Sequence, residues 1–464
     1  MRTFCVGFLA AGLVGAPLAA QAALPPATRA AMDKAATAIL ARTAAPSASL
    51  AVVKDGKVAY LKAYGTAVLA TKTAATPAMT YSIGSISKQF TAAAILLLAE
   101  EGKLSLDDPL ARWFPDLTRA KDITVRQILS MTSGYQDYWP QDYVMPGMLK
   151  PVTAQEILDG WARKPLDFEP GTKWQYSNTN YVIAGQIVEK VAGQPLLAFL
   201  KARIFKPLGM TSVADTDDAP LGPDEPMRYL RYALGPARPA PKEGKGWMFA
   251  AGELAMTAQD LARWDEAMIA RKILTPASWH TLETEVRLAD GAGTQYGLGV
   301  SVSLKDGRRA ISHSGEVSGF TAENVVYPDQ GVAVVVLTNL DATSASGDLA
   351  AKAAQAVFAT ADPGTPAALA QARAVFAGLQ KGHLDRSLFS ANANAYFTPQ
   401  ALRDFADSLG PLGTPKSFTQ ASQGLRGGMV VRRYKAVFPK KTVRVWTYTL
   451  PGGKLEQYMA AAAE

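Results

Sequence analysis

The chain reads as an α/β (α+β) protein: an antiparallel sheet flanked by helices, with a helical lobe inserted and a small α+β domain appended. Three observations predict this. Strand patterns occur near both ends of the first 360 residues, and the stretch from about 85 to 290 is patterned mostly as helix. The loops of that stretch are rich in Gly, Pro, Asp and Tyr. A linker-like ADPGTP segment at 361–366 then precedes a tail of helical and strand patterns. A hydrophobic content of 48% with 19% charged residues suits a globular chain, and 464 residues exceed one ordinary domain.

In chain order, residues 1–22 read as a secretion signal. Arg2 supplies the positive start, FCVGFLAAGLVGAPLAA the apolar stretch, and Ala20-Gln21-Ala22 the cleavage site. The apolar run is short for a spanning helix and contains Gly and Pro. Cys5, the only cysteine, lies inside it, so the mature product is expected to hold no disulfide, cysteine nucleophile or thiolate metal site. No later stretch reaches about 18 apolar residues, so a secreted or periplasmic protein without a stable membrane span is expected.

Residues 24–45 are Ala-rich and helical. ASLAVVK and KVAYLKAYG follow as two strands joined by a tight Asp55-Gly56 turn. Strand signals return at YGLGVSVSL (296–304), RRAISHSG, GFTAENVVYP and VAVVVLTN, and the helix ASGDLAAKAAQAVFATA closes the region. Residues 24–360 are therefore expected to form one domain, with its ligand groove between sheet and helical lobe. Residues 367–464 read as a separate module. It has helical patterns at 366–380 and 398–409, then strands at MVVRRYKAVF and TVRVWTYTLPGGKLEQY. No catalytic constellation is visible there, and a role in groove access or self-association is expected.

Lys and Arg number 48 against 40 Asp and Glu, a formal +8 with pI about 9.3. The excess reads as dispersed apart from Arg432-Arg433 and Lys440-Lys441, which argues against a nucleic-acid partner. Three histidines and no cysteine after signal removal argue against a metal site, and no Gly-x-x-x-x-Gly-Lys-Ser/Thr loop is present. No cofactor is expected. Neither Gly-x-Ser-x-Gly nor His-Glu-x-x-His occurs.

Three clusters carry chemistry. Ser85 and Lys88, in SISKQF, share a helix face at i and i+3, so an amine can lie beside the hydroxyl. An amine held at a poorly solvated edge has a depressed pKa and becomes a usable base. Tyr176-Ser177-Asn178 follows the Pro170-Gly171 turn, and a tyrosine beside an ammonium can be partly ionised. His313-Ser314-Gly315 ends a strand, where glycine lets a substrate backbone approach. Each cluster alone also fits a plainer account: an N-capped core helix with a snorkelling lysine, a loop aromatic with a helix-capping asparagine, and a structural histidine.

Taken together, Ser-x-x-Lys, Tyr-x-Asn and His-x-Gly, in this order and spacing, resemble one family. The chain is similar to the serine β-lactamase-like and penicillin-binding-protein-like hydrolases: class C β-lactamases, D-alanyl-D-alanine carboxypeptidases, D-aminopeptidases and related esterases. The resemblance covers residues 30–360 and extends to ITVRQILSMTSGY, FEPGTKWQYSNTNY, AAGELAMTAQDLARW and YGLGV. It implies a β-lactamase/transpeptidase-like fold, with Ser85 as acylated nucleophile, Lys88 as its proton-shuttling partner and Tyr176 as general base and acid. Asn178, His313, Ser314 and Gly315 are expected to bind substrate, with Asn178 on its amide side chain and His313 facing its carboxylate or assisting Tyr176. The backbone N–H groups of Ser85 and Glu316 are expected to form the oxyanion hole.

Two positions depart from the family pattern. His313 stands where β-lactamases hold a lysine, so efficient β-lactam hydrolysis is not expected from a mostly neutral imidazole. Met131 stands where such enzymes often carry a histidine before Thr132-Ser133-Gly134, and is read as packing. The expected partner is a small-molecule or peptide substrate, cell-wall peptide included: a D-amino-acid peptide or amide, or a small ester. The rivals are a binding or sensing protein that is acylated without turnover, and a true β-lactamase.

Overall fold

The structure is a computed structural model that describes residues 24–217, 225–359 and 365–463. The signal-like segment 1–22 and most of the linker-like 361–366 lie outside those residues. Two compact units are present, one ending at Phe358 and the other beginning at Ala359.

The first unit is built on a seven-stranded antiparallel sheet. Helix α1 (Pro26–Thr43) leads into β1 (Ser47–Lys54) and β2 (Lys57–Val68), whose hairpin turns at Asp55 and Gly56, both at positive φ. The remaining strands come from the far end: β3 (Ser301–Lys305), β4 (Arg308–Val317), β5 (Phe320–Tyr327) and β6 (Val332–Thr338). The spatial order is Thr73–Ala74, β2, β1, β6, β5, β4, β3, so the two ends of the unit join where β1 pairs with β6. Every residue of β6 is buried, as a central strand covered on both faces requires. Alternate residues divide between two cores. Leu50, Val52, Val334 and Val336 pack under α1 and α3 (Ala345–Phe358), whereas Ala51, Val53, Val335 and Leu337 face the helical lobe.

The strand expected over YGLGVSVSL begins only at Ser301. Residues 296–300 instead form a loop in which a Cβ on Gly299 would come 2.8 Å from the Lys88 carbonyl oxygen. Contact with backbone, not strand pairing, sets those glycines.

Helix α2 (Ser87–Glu100) runs through the core of the lobe, with all of residues 87–98 buried. A helix apolar all round belongs there. A chain of buried polar groups ties it to the sheet: Trp264 Nε1 donates to Gln89 Oε1, Gln89 Nε2 to Asn324 Oδ1, and Asn324 Nδ2 to both oxygens of Asp265 at 2.8 Å. Asn324 lies opposite His313 in the sheet, so α2 and the His-Ser-Gly strand share an anchor.

The second unit packs α4 (Thr365–Leu379), α5 (Ala391–Tyr396) and α6 (Pro399–Leu409) with a four-stranded antiparallel sheet. Its strands are β7 (Ser417–Arg426), β8 (Met429–Val437), β9 (Thr442–Thr449) and β10 (Leu455–Ala462). The sequence pattern misses β7 because most of its side chains are exposed, leaving little apolar alternation to see. Among the described residues no helix is long and apolar enough to cross a membrane.

Candidate active site

Ser85 occupies a single 3₁₀ turn, Gly84–Ile86, immediately before α2. Its side chain makes no capping bond, which removes the N-cap account. Gly84 has φ +53°, and a Cβ there would lie 2.9 Å from the Glu316 nitrogen. A Cβ on Gly315 would lie 1.9 Å from the Ile83 carbonyl oxygen. Glycine at both positions lets β4 press its backbone against the turn that holds Ser85 and brings the Glu316 amide beside the residue preceding Ser85.

Lys88 is fully buried. Its Nζ stands 2.9 Å from Ser85 Oγ, 2.8 Å from Asn178 Oδ1 and 2.7 Å from the Ala251 carbonyl oxygen. Burial lowers its pKa to about 7, with the Asp137 charge working the other way. A neutral amine has two N–H groups and one lone pair. Asn178 and Ala251 accept the two N–H groups, which leaves the lone pair for the Ser85 hydroxyl.

Tyr176 places its ring 5.0 Å from Lys88 Nζ, and its phenol faces Ser85. Burial raises its pKa, the Ser85 side chain pulls it down, and the Asp137 charge pushes it up. The net shift is upward, which corrects the expected partial ionisation: the phenol is neutral and suited to give a proton. The ammonium that was expected to ionise it is itself lowered to about 7 and so only partly charged near neutrality.

Asn178 also differs from its expected role. Its Oδ1 is taken by Lys88 and its Nδ2 donates to Asp137 Oδ2 at 3.3 Å, so its amide serves the lysine before any substrate. His313 is buried and its ring is satisfied at both nitrogens. The network puts its hydrogen on Nδ1, donated to the Ser314 carbonyl oxygen at 2.6 Å, and Nε2 accepts from the Tyr296 hydroxyl at 3.0 Å. Burial, with the Lys88 charge beside it, lowers the imidazole to about 4. It carries no charge for a substrate carboxylate at neutral pH. Met131 is buried in the core, its sulfur 3.5 Å from the Ser177 nitrogen, as packing requires.

Ser85, Tyr176, Asn178, His313, Ser314 and Glu316 all line one cavity of about 1150 Å³. Gly315, expected with them, is not among the lining residues; its backbone packs against Ile83. Burial pushes the Glu316 carboxyl up, and the carboxylates of Asp142 and Asp341 on the same wall add to that rise. Among the lining residues Arg231 is the one side chain with a permanent cation, and its nitrogens are turned to the Gly235 and Thr43 carbonyls. Among the described residues no His, Cys, Asp or Glu group is placed to hold a metal.

Three site groups escaped sequence reasoning. Asp137 lies two residues beyond the ITVRQILSMTSGY stretch, and Tyr296 opens YGLGV without an assigned role. The Ala251 carbonyl carries no side-chain signal at all, although it sits inside the AAGELAMTAQDLARW stretch.

Comparison with known proteins agrees with this geometry. A family model described as beta-lactamase matches residues 32–358. A D-aminopeptidase of Brucella anthropi is 31% identical over 300 residues, covering 64% of this chain and 56% of that protein, so the chain spans little more than half of that relative's length. D-amino acid amidase from Ochrobactrum anthropi SV3, complexed with L-phenylalanine amide, superposes with TM-score 0.63 at 25% identity over 71% of this chain and 98% of its own. The octameric penicillin-binding protein homologue from Pyrococcus abyssi has TM-score 0.63 at 22% identity over 94% of this chain and 96% of its own, a likeness of fold. With the family model matching more than half of its length, the chain belongs to the beta-lactamase family.

Proposed function

We propose that this chain is an exported serine hydrolase that forms an acyl-enzyme on Ser85 and cleaves D-amino-acid amides and peptides, with small esters as secondary substrates. The observation that carries the proposal is the buried Lys88 amine 2.9 Å from Ser85 Oγ, both of its N–H groups already accepted elsewhere.

Lys88 takes the proton of Ser85 as Oγ bonds to the substrate carbonyl carbon. The carbonyl electrons move to the oxygen, held by the N–H groups of Ser85 and Glu316. Tyr176 gives its proton to the leaving nitrogen as the C–N bond breaks, and recovers one from Lys88. Water then attacks the ester, its proton passing to Lys88 and on to Ser85 Oγ as the acid departs. Two half-reactions replace one difficult hydrolysis. The catalytic groups belong to residues 24–360, with 367–464 as an accessory module.

Two features support the D-amino-acid choice. One is the similarity to a D-aminopeptidase and a D-amino acid amidase. The other is the cavity wall, where Asp142, Glu316 and Asp341 favour an ammonium and the neutral His313 offers a carboxylate nothing.

The test is a panel of D-aminoacyl amide, D-Ala-D-Ala peptide, short-chain ester and cephalosporin on the wild type and Ser85→Ala. Ser85-dependent turnover, fastest on the D-aminoacyl amide, is expected. One-to-one labelling without turnover would establish the sensor instead, cephalosporin as best substrate a true β-lactamase, and equal turnover by Ser85→Ala would sink the site.

A further inference from the structure

Asp137 sits in the loop after Gly134-Tyr135, outside all three motifs, yet its carboxylate is joined to the Lys88 amine through the Asn178 amide. Three hydrogen bonds converge on it. The backbone N–H groups of Asn178 and Trp139 donate to Oδ1 at 2.9 and 3.1 Å, and Asn178 Nδ2 donates to Oδ2 at 3.3 Å. Burial raises the Asp137 pKa, and the three partners, all donors, work against that rise by favouring an ionised acceptor. A side-chain amide has one donor end and one acceptor end. By taking Nδ2, Asp137 turns Oδ1 toward Lys88, where it lies 2.8 Å from Nζ. That contact decides which lobe of the amine is left for Ser85.

We propose that Asp137 is a positioning residue, acting through the Asn178 amide to hold Lys88 as the proton acceptor of Ser85. A carboxylate–amide–amine series thus occupies the place that a carboxylate–imidazole pair fills in other serine hydrolases. The proposal rests on the assignment of Lys88 as base made above.

The charged and titratable surroundings are few. Lys88 is faced by the Tyr176 and Tyr181 rings at 5.0 and 5.5 Å, by neutral His313 from β4, by Ser85 and by Asn178. Asp137 is faced by Lys88 and by the phenols of Tyr138 and Tyr176, both of which its charge helps keep protonated. Of these groups, Asp137 is the one whose charge raises the Lys88 pKa against desolvation.

The experiment measures acylation of Ser85 by a fluorophosphonate probe against pH, in the full chain, for wild type, Asp137→Asn, Asn178→Ala and the double variant. Wild-type labelling is expected to rise with pH as Lys88 loses its proton. Asp137→Asn should lose about 10²-fold in plateau rate, because the amide of Asn178 is freed to turn. Its pH midpoint should fall by about one unit, because the charge that favours the ammonium is gone. In the Asn178→Ala background the same substitution should change the plateau rate little, since the two residues act as one device.

An unmoved midpoint, or plateau losses that add in full, would overturn the role of Asp137 while leaving Ser85 and Lys88 intact. A wild type that the probe does not label would instead overturn the reading of the site itself. Should Asp137→Asn fail to fold, Asp137→Glu carries the test: its retained charge should keep the wild-type midpoint, and a shifted midpoint overturns the proposal.

Discussion

In residues 1–358, thirty-five Lys and Arg stand against thirty-four Asp and Glu, whereas in 359–464 thirteen stand against six. The basic excess that looks dispersed along the sequence is therefore carried almost wholly by the second unit. The ion pairs follow the same division. Among the described residues they all fall in the first unit, as where Arg309 bridges Glu283 and Asp329. In the second, Arg433, Lys435 and Arg444 are exposed, and Lys435 lies directly across from Arg444 in the sheet. Like charges so placed weaken a strand pair by about 0.2–1 kcal/mol. The first unit balances its surface, buries the Lys88 amine and half-buries the Asp137 carboxyl. The second unit carries Arg433, Lys435 and Arg444 on the outside, although Arg432, next to Arg433 in sequence, is buried.

The sharpest way to break this contrast is Lys88→Met. Loss of the buried base should lower kcat/KM by about 10²–10⁴-fold, and a turnover close to wild type would place the chemistry elsewhere. Gly315→Ala comes next. Its methyl would meet the Ile83 carbonyl oxygen at 1.9 Å, which neither backbone can yield without parting β4 from the nucleophile turn. A loss of about 10²–10³-fold is expected from the displaced Glu316 N–H, with a stability cost of about 1–3 kcal/mol read by thermal melting.

The pH profile is a smaller but more specific effect. The neutral amine is the active form, so kcat/KM should climb with pH through a midpoint of about 7, set by Lys88. His313, lowered to about 4, and Tyr176, raised, should contribute no step between pH 5 and 9. The same lysine links pH to folding: its folded pKa lies below the unfolded one, so between about 7 and the unfolded value of about 10.4 the unfolded chain binds the extra proton and stability rises with pH. A midpoint unmoved by Lys88→Met would assign the step to another group.

Smallest of all should be the triple reversal Arg433→Glu, Lys435→Glu and Arg444→Glu. Retention of the full chain on a cation exchanger should fall, while kcat/KM on small substrates stays within about twofold, as for surface changes away from a site. A large loss of activity would end the separation between a catalytic and a charge-bearing unit.

Much of this was written locally. Asp55-Gly56 between alternating apolar runs specifies a hairpin whatever surrounds it, and the i, i+3 spacing of Ser85 and Lys88 puts hydroxyl and amine together by helix geometry alone. Tyr176, Asn178 and His313 announced themselves through motif order. Asp137 did not, because a lone Asp in a loop looks the same whether it faces water or a buried amide. β7 did not either, its exposed side chains lacking the alternation by which a strand is seen.

The sequence by itself determined most of the strands, the central helix and the pairing of Ser85 with Lys88, since each follows from spacing along a few neighbouring residues. Only the tertiary structure decided the protonation states and orientations at the site: a Lys88 amine lowered to about 7, a protonated Tyr176, an uncharged His313 bonded at both nitrogens, and an Asn178 amide turned toward the lysine. A pKa depends on exclusion of water and on nearby charges, and an amide's orientation on which partners meet its two ends. Here Lys88, Asp137, Asn178 and Ala251 come from four separate stretches of chain, and they meet only once the lobe has closed on the sheet.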